Sequence, residues 1–543
     1  FHGSRHNGLL AWDDETHTIY YSNDFGASWN EREKNVTSYY WGMDKLDPND
    51  TVYLEIDNGN GTSKVIRGHW NHKHFFTHTV MQNVIDFEIN DGYMFATKKG
   101  QEGLDLFVSY HYHDMKKAEF PNQLKRKSYF IADASEGQVF VAVNHNKNTS
   151  HLYISDTRGE YYTLSMERIL FYSPDRTEDI WLRRYRQEEF VDIHAVAAIR
   201  GIYVASQLNN KKIVSMISFN KGRTWRKVDP PIRHANGSLV QCVISGTCSL
   251  HLALLYAKVH PWYFAPSIMS KESAPGLIVS SGNIGKALNR KSNVYVSNDA
   301  GDSWLEVLQG RWYFNFGDHG GIIVAVRQWS PTKELRYSTD EGLTWKTYEF
   351  TNTSIHVYGV LTEPGEKTTI FTIFGSYEHY HSWLVVQVDT KNILGNMCSK
   401  ADYETWTPYY RKYGYGCILG QRLDYERRKR NSTCFNGLDY DRPVNTTICH
   451  CSDQDYECDF GFIPWWHLCR LDPNAGFDPH AVPRPCPRGT TYNDTQGYRK
   501  IAGDKCSPGV FSWWYDPREV SCPFELDPAF LLYAERTTIQ YVD

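Results

Sequence analysis

The chain has 543 residues and a formal net charge of −5, with 41% hydrophobic, 15% aromatic and 22% charged residues. This length allows roughly two to four domains with sizeable apolar cores, and the charge excludes both a disordered chain and a basic nucleic-acid-binding surface. No apolar run reaches the roughly 18 residues of a membrane-spanning helix. So many aromatic residues favour β-structure, because flat rings pack well on pleated sheets.

Four segments share one pattern: serine, then aspartate or asparagine, then glycine, then serine or threonine followed by tryptophan. They span residues 22–29, 218–225, 297–304 and 338–345, and each follows an alternating apolar run. The acid or amide at the third position, which can accept hydrogen bonds from turn N–H groups, is Asp24, Asn220, Asp299 or Asp340. We therefore predict four β-hairpin turns, each with a tryptophan that packs between sheets. Spacings such as 41 residues between the third and fourth segments fit one four-stranded propeller blade.

Twelve cysteines are distributed unevenly along the chain. Cys242 and Cys248 lie in the first 397 residues, and the other ten are Cys398, Cys417, Cys434, Cys449, Cys451, Cys458, Cys469, Cys486, Cys506 and Cys522. This density predicts small modules held by disulfides, although the spacing leaves many pairings open. Zinc binding near His450 is the alternative, but the paired C-x-x-C spacing of zinc sites is absent.

Nine Asn-x-Ser/Thr sequons predict a glycosylated, secreted chain. Their asparagines are Asn35, Asn49, Asn60, Asn148, Asn236, Asn352, Asn431, Asn445 and Asn493. The chain therefore divides near residue 395 into a long stretch that is poor in cysteine and a short cystine-rich tail.

The repeated turn is the Asp-box, which occurs in sialidase-like glycosidase propellers and in the Vps10 domains of sortilin-type sorting receptors. The ten-cysteine tail favours the second group, because Vps10 domains resemble this chain in carrying such a module after the propeller. Longer stretches, among them residues 129–140, 270–277, 317–322 and 455–461, resemble the sortilin-related branch of that family. The resemblance covers essentially the whole chain.

The resemblance implies an all-β chain with an Asp-box β-propeller at residues 1–394, followed by a ten-cysteine module whose halves are residues 395–450 and 451–527. Residues 528–543 resemble the lead-in to a YWTD-type propeller. Because a Vps10 propeller is expected to have ten blades, we expect the first blades to be missing here. The implied disulfides are Cys242–Cys248, Cys398–Cys434, Cys417–Cys449, Cys451–Cys506, Cys458–Cys469 and Cys486–Cys522.

The resemblance also implies a function: the luminal region of a type I receptor that binds peptides, propeptides and proteins in its tunnel and carries them between Golgi, cell surface and endosomes. Cytosolic sorting adaptors would bind a tail outside this chain, and no nucleic acid, metal or cofactor is implied. The alternative is a secreted Asp-box glycosidase, which needs facing carboxylates or an arginine cluster. Since no catalytic setting is recognisable, we predict a protein that is not an enzyme.

The peptide site implied by the resemblance consists of Tyr93, Phe95, Thr97, Leu104, Leu106, Tyr129 and Ile131. In the segment at residues 103–107, an apolar residue stands where sortilin has the arginine that binds a ligand's terminal carboxylate. We therefore expect an internal peptide segment to bind by strand addition. The alternative for Tyr93, Phe95 and Tyr129 is ordinary sheet core.

Two charged clusters remain. Residues 427–430, Arg-Arg-Lys-Arg, resemble a proprotein-convertase site, but we expect a solvated basic loop. Histidines gather at His69, His72, His74 and His78, at His111 and His113, and at His379 and His381. We expect exposed loop histidines there, with metal binding and ligand release in acid as the alternatives.

Overall fold

The structure, a computed structural model, describes residues 8–43, 45–69, 77–101, 103–121, 125–146, 149–174, 177, 180–363, 367–377, 382–408, 416–437, 444–466, 468–510 and 512–523. Outside these residues lie the predicted features Asn148, His72, His74, His379, His381 and the segment 528–543. The predicted all-β class is confirmed, since short antiparallel strands dominate the described chain. No helix among the described residues is long and apolar enough to cross a membrane.

Eight successive antiparallel sheets make up most of residues 9–389 in the described chain. The first sheet has β1 (Leu9–Asp13), β2 (Thr18–Ser22) and β3 (Asn30–Glu33). The second has β4 (Val36–Trp41), β5 (Thr51–Asp57), β6 (Ser63–His69) and β7 (Thr77–Val84). The third has β8 (Asp86–Asn90), β9 (Tyr93–Gly100), β10 (Gly103–Tyr110) and β11 (Lys116–Lys117). The fourth has β12 (Ser128–Asp133), β13 (Phe140–Asn146), β14 (Thr149–Ser155) and β15 (Tyr162–Met166).

A small two-stranded sheet and a short helix follow, namely β16 (Phe171–Tyr172), α1 (Ile180–Tyr185) and β17 (Phe190–Val191). The fifth sheet has β18 (Ile193–Ala195), β19 (Tyr203–Asn209), β20 (Lys212–Ser218) and β21 (Arg226–Lys227). The sixth sheet has β22 (Ser249–Leu252), β23 (Met269–Ser270), β24 (Ile278–Gly285), β25 (Asn293–Ser297) and β26 (Leu305–Leu308). Two short helices, α2 (Gln241–Ile244) and α3 (Leu255–Val259), lie in the same stretch of chain. The seventh sheet has β27 (Trp312–Gly317), β28 (Ile322–Arg327), β29 (Glu334–Ser338) and β30 (Lys346–Glu349). The eighth has β31 (Ile355–Leu361), β32 (Ile370–Tyr377) and β33 (Trp383–Asp389).

The cysteine-rich tail contains shorter elements. They are α4 (Lys391–Leu394), β34 (Tyr403–Trp406), β35 (Gln421–Arg428), β36 (Asn445–Ile448), β37 (Tyr456–Cys458), β38 (Phe462–Trp465), β39 (Leu468–Leu471), β40 (Thr491–Asp494), β41 (Tyr498–Lys500) and β42 (Arg518–Ser521). The chain separates into two compact units, residues 1–450 with 502–507 and residues 451–501 with 508–543.

Each neighbouring pair of sheets shares a buried apolar core. Ile19 and Leu54 belong to the core of the first and second sheets, and Phe140 and Tyr203 to that of the fourth and fifth. Because successive side chains of a strand point to opposite faces, a sheet in the middle of the series is buried on both faces. Four-stranded sheets stacked face to face in chain order are the architecture of a β-propeller, so the predicted fold class is confirmed.

All four Asp-box segments form hairpin turns. The side-chain oxygen of the third residue accepts a hydrogen bond from the N–H four residues later, at 2.8–2.9 Å in every turn. The serine at the first position accepts a second bond from the glycine N–H, and these glycines have φ angles between +79° and +95°. Trp304 is buried as expected, whereas Trp29 is 43% exposed, so the predicted packing between sheets is wrong for the first turn.

Five of the implied disulfides are present: Cys242–Cys248, Cys398–Cys434, Cys417–Cys449, Cys458–Cys469 and Cys486–Cys522. Cys451 and Cys506 are also disulfide-bonded, and no cysteine of the described residues is free. Since a bridged sulfur is not a thiolate ligand, the zinc alternative is wrong.

The basic segment 427–430 is not a solvated loop, so that expectation is wrong. Arg427 and Arg428 are the last residues of β35, and the Arg428 side chain is only 7% exposed. Arg427 and Arg430 both pair with Glu341, at 2.5 Å and 2.7 Å. Glu341 belongs to the fourth Asp-box turn, so two of the four basic side chains of this segment share a carboxylate that is distant in sequence.

Candidate functional site

The seven residues of the predicted peptide site lie at the junction of the third and fourth sheets. Three are on β9, two are on β10, and Tyr129 and Ile131 are on β12. In the third sheet Thr97 lies opposite Leu106. The fold therefore brings these three sequence segments together.

Two of the seven residues are deeply buried aromatics. Tyr93 and Phe95 are 0% and 2% exposed and share a core with Val141 and Tyr153 of the fourth sheet. The Tyr93 hydroxyl donates to the carbonyl of Thr157 at 2.7 Å. Tyr93 therefore uses both its ring and its hydroxyl within the protein, as the sheet-core alternative expects.

A small cleft with a cavity volume of about 20 Å³, here called the β8–β12 cleft, lies beside these residues. It is lined by Asp86, Glu88, Phe95, Ala96, Thr97, Leu106, Tyr129 and Ile131. Five of the seven predicted residues thus line one cleft, whereas Tyr93 and Leu104 are not among its lining residues.

Thr97 is the unusual polar residue of the cleft. It is 8% exposed, and its hydroxyl oxygen has no hydrogen-bond partner in the structure. By contrast, the Tyr129 hydroxyl donates to the carbonyl of Leu104 at 2.9 Å. Because a buried hydroxyl without a partner costs free energy, Thr97 is a group that a bound ligand would satisfy.

Asp86 and Glu88 form the acidic wall of the cleft, and neither was among the site residues predicted from the sequence. Burial raises the pKa of Glu88 to about 7, with a smaller contribution from the charge of Asp86. Desolvation by the surrounding side chains raises the pKa of Asp86 above its ordinary value, although the residue itself is exposed. The signal available in the sequence was the alternation of Asp86, Phe87 and Glu88, which places both acids on one side of a short strand.

Two strands beside the cleft have an edge that is open to pairing. β8 is the terminal strand of the third sheet and pairs with β9, and β12 is the terminal strand of the fourth sheet and pairs with β13. Within the described chain, no strand pairs with the other edge of either, although the Tyr40 hydroxyl of the second sheet donates to the Phe87 carbonyl of β8 at 3.0 Å. Backbone groups at such an edge can bind an added strand.

The glycosylation sites and the histidines have different surroundings. Every sequon asparagine within the described chain is exposed, so each is accessible to a glycan. His69 is half-buried and lies 3.3 Å from a carboxylate oxygen of Asp50, so it is not the exposed loop residue that we expected. His78, His111 and His113 are exposed.

Three histidines on the strands, of which His145 and His251 are buried and His194 is half-buried, were not singled out by their sequence context. Burial lowers the pKa of His145, His194 and His251 to about 4 in each case. All three lie on strands of the fourth, fifth and sixth sheets.

Family models match both parts of the chain. Residues 1–360 match the model "Sortilin, neurotensin receptor 3", and residues 362–522 match the model of its C-terminal region. The human Sortilin-related receptor is 41% identical over 566 aligned residues, which cover 99% of this chain and 25% of that protein. The human VPS10 domain-containing receptors SorCS2 and SorCS1 are 31% and 32% identical, covering 94% and 96% of this chain and 44% of each relative. The chain spans about a quarter of the length of the sortilin-related receptors that it matches.

Solved structures give a weaker likeness. The β-propeller domain of the Trilobed protease from Pyrococcus furiosus aligns with 62% of this chain and 91% of its own, at 10% identity and a TM-score of 0.24. A likeness this low supports no conclusion about fold or function.

Proposed function

The chain belongs to the Vps10-domain family of sortilin-type receptors, and on that basis we propose that it is the luminal ligand-binding region of a sorting receptor. Its relatives carry the names of receptors, which favours binding over catalysis. Transport of cargo between Golgi, cell surface and endosomes, and adaptor binding by a cytosolic tail outside this chain, are parts of the same proposal.

The ligand we propose is an extended peptide segment, bound by strand addition at the β8–β12 cleft. The observation that supports this is the open edge of β8 beside a cleft with an apolar floor and an unsatisfied hydroxyl. In strand addition, backbone hydrogen bonds supply affinity, and alternate side chains enter pockets. Phe95, Leu106 and Ile131 provide the apolar contact for such side chains.

The glycosidase alternative fits the cleft poorly. A glycosidase needs two carboxyl groups on opposite sides of the scissile bond. Asp86 and Glu88 instead lie two residues apart on one strand and form one wall of the cleft. The arrangement offers negative charge to a ligand without a second, facing acid.

A backbone methylation scan tests strand addition. The probe is a fluorescein-labelled nine-residue peptide of alternating threonine and valine with a central lysine, and its binding to the purified chain is measured by fluorescence anisotropy. N-methylation of alternate residues should abolish binding where the N–H faces β8 and leave it unchanged at the intervening residues, because a strand donates to one neighbour at every second residue. Equal effects at all positions would contradict strand addition.

A further inference from the structure

We propose that the β8–β12 cleft binds the basic side chain, lysine or arginine, of a peptide, through Asp86, Glu88 and the hydroxyl of Thr97. This inference rests on the proposed function and specifies the class of ligand. It makes the cleft a site that selects peptides by charge, in addition to their ability to form a strand.

The register of the third sheet places the three groups together. Asp86 lies opposite Thr97 and Glu88 lies opposite Phe95 in the pairing of β8 with β9. Asp86, Glu88 and Thr97 line the same cleft. Two carboxylates and one hydroxyl oxygen therefore converge beside the open edge of β8.

Thr97 provides an observation independent of the two acids. Its side chain is more than nine-tenths buried, lines the cleft and makes no hydrogen bond. An ammonium or guanidinium group has only donors, and the threonine oxygen can accept one of them. A basic side chain would thus satisfy an atom that the protein itself leaves without a partner.

The surrounding charges favour a cation over an anion. Within the described chain, neither Asp86 nor Glu88 forms an ion pair with a lysine or arginine. From the second sheet, Glu55 adds a third nearby acid and Tyr40 donates its hydroxyl to the carbonyl of Phe87 at 3.0 Å.

On the opposite side of the cleft, the fourth sheet contributes Tyr129, which lies near Arg126 and Asp105. Asp105 lies 3.0 Å from Lys117 and 3.8 Å from Arg126, so these two cations share one acid. The charged residues that line the cleft itself, Asp86 and Glu88, are both acids, and a positively charged side chain is their complement.

The cleft also suits the apolar part of such a side chain. Lysine and arginine bury their methylene chains along apolar surfaces while the charged end contacts polar groups. The rings and branched chains of Phe95, Leu106 and Ile131 lie in the cleft beside the acids. One side chain can therefore contact both surfaces.

The sign of the pH dependence follows from Glu88. Burial raises its pKa to about 7, and a bound cation would favour the ionised carboxylate. As the pH falls through about 7, Glu88 becomes neutral and the attraction for a basic side chain weakens. Affinity for a basic peptide should therefore fall from about pH 7.5 to about pH 5.5. Protonation of Glu88 should not lower the affinity for a peptide whose central residue is uncharged.

The first experiment compares five peptides that differ only at the central residue of the threonine-valine probe: lysine, arginine, glutamine, norleucine and glutamate. We expect the lysine and arginine peptides to bind at least tenfold more tightly than the glutamine peptide. Equal affinity of these three would overturn the inference and leave strand addition intact. Failure of every peptide to bind would contradict the proposed function itself.

Variants of the acids assign the effect to the cleft. Asp86→Asn and Glu88→Gln should each weaken the lysine peptide by about tenfold and leave the glutamine peptide unchanged, which corresponds to about 1.4 kcal/mol. Glu349→Gln is the matched control, because Glu349 is an exposed acid on β30 of the seventh sheet. An equal loss in the control, or no loss in either cleft variant, would overturn the assignment.

Thr97→Val separates binding from folding. Valine has nearly the shape of threonine and is equally suited to a strand, but it lacks the hydroxyl. We expect the lysine peptide to bind several-fold more weakly while the melting temperature of the unbound protein stays the same or rises, since the variant removes an unsatisfied buried group. A lower melting temperature with unchanged affinity would overturn the role given to this hydroxyl.

Discussion

The eight sheets and the cysteine-rich tail are stabilised in different ways. Most apolar clusters of the described residues lie in the sheets, and seven of them are each formed mainly by two neighbouring sheets. The tail has short strands and exposes large side chains such as Trp466 and Val510, at 86% and 84%. All ten of its cysteines are disulfide-bonded.

The difference follows from how much apolar surface each region can bury. A strand of seven residues such as β13 has buried side chains on both faces, whereas β40 and β42 have four residues each, none of them fully buried. Small modules with little core depend on covalent links that restrict the unfolded chain. Loss of a disulfide should therefore destabilise the tail more than the propeller, whereas the propeller should depend more on its buried polar groups.

The largest expected effect is the loss of a tail disulfide. Cys486→Ala combined with Cys522→Ala opens a loop with a sequence separation of 36 and should destabilise residues 451–523 by about 4 kcal/mol. The matched control, Cys242→Ala with Cys248→Ala, opens a separation of only 6 in the propeller and should cost about 2 kcal/mol. Urea unfolding followed by hydrogen exchange measures both. Equal losses of stability in the two variants would contradict the expected difference between tail and propeller. Faster amide hydrogen exchange in the propeller sheets of the Cys486→Ala, Cys522→Ala variant would contradict it as well.

Arg428 joins the tail to the propeller, so its removal should affect both. It donates to the carbonyls of Gly321 and Thr339 in the propeller and to that of Cys434 in the tail, and it lies 3.8 Å from the carboxylate of Asp318. Arg428→Ala leaves Asp318 buried without its cation, and we expect a loss of about 3 kcal/mol in the free energy of unfolding.

That expectation lies at the low end for a broken buried pair, because Asp318 still accepts from the backbone N–H of Asn436. Chemical denaturation measures the loss, and Arg158→Ala, at an exposed turn, is the control. If both variants unfold alike, the junction does not depend on this arginine.

Acid should weaken the propeller through His251. Ser215 donates its N–H to Nδ1 of this buried ring, and Nε2 lies 3.0 Å from the carbonyl of Gly285, so the neutral ring fits and a second ring proton does not. Burial lowers its pKa from 6.5 to about 4. The unfolded chain then binds more protons than the folded one, so this stability is lost as the pH falls from about 6.5 towards about 4.

We expect His251 to account for a loss of about 2 kcal/mol in the free energy of unfolding at about pH 4.5. His251→Asn, whose amide can both accept and donate, should reduce the pH dependence of unfolding, whereas His17→Asn at an exposed position should not. An unchanged pH profile in His251→Asn would show that other groups cause the acid sensitivity.

The smallest effect should come from an Asp-box turn. The Asp340 carboxylate accepts from the N–H of Thr344 at 2.9 Å and from the hydroxyls of Thr344 and Ser338. Asp340→Ala should cost about 1–2 kcal/mol without changing peptide affinity, because the turn lies in the seventh sheet and the cleft in the third and fourth. Asp24→Ala, in the more exposed first turn, should cost less. A folded Asp340→Ala variant that no longer binds the probe would contradict this separation.

Local patterns in the sequence were sufficient for the fold class, the four turns and the disulfide-rich tail. The hydrogen bonds of each Asp-box turn join residues within one segment of eight, so the geometry of the turn follows from that segment alone. The high density of cysteines indicated stabilisation by disulfides, because it is a property of one continuous segment and needs no knowledge of distant contacts. The resemblance to the receptor family added the particular disulfide partners and the strands of the peptide site.

The features that depend on contacts between distant segments required the tertiary structure. Glu341 neutralises Arg427 from a different sheet, and Trp29 is exposed where Trp304 is buried, although both occupy the same position of the same pattern. Asp86 and Glu88 became candidate ligand groups only when the pairing of β8 with β9 placed them beside the unsatisfied hydroxyl of Thr97. Burial and electrostatic environment at these positions depend on the sheets that pack together. The sequence of one strand does not show which segments will lie beside it.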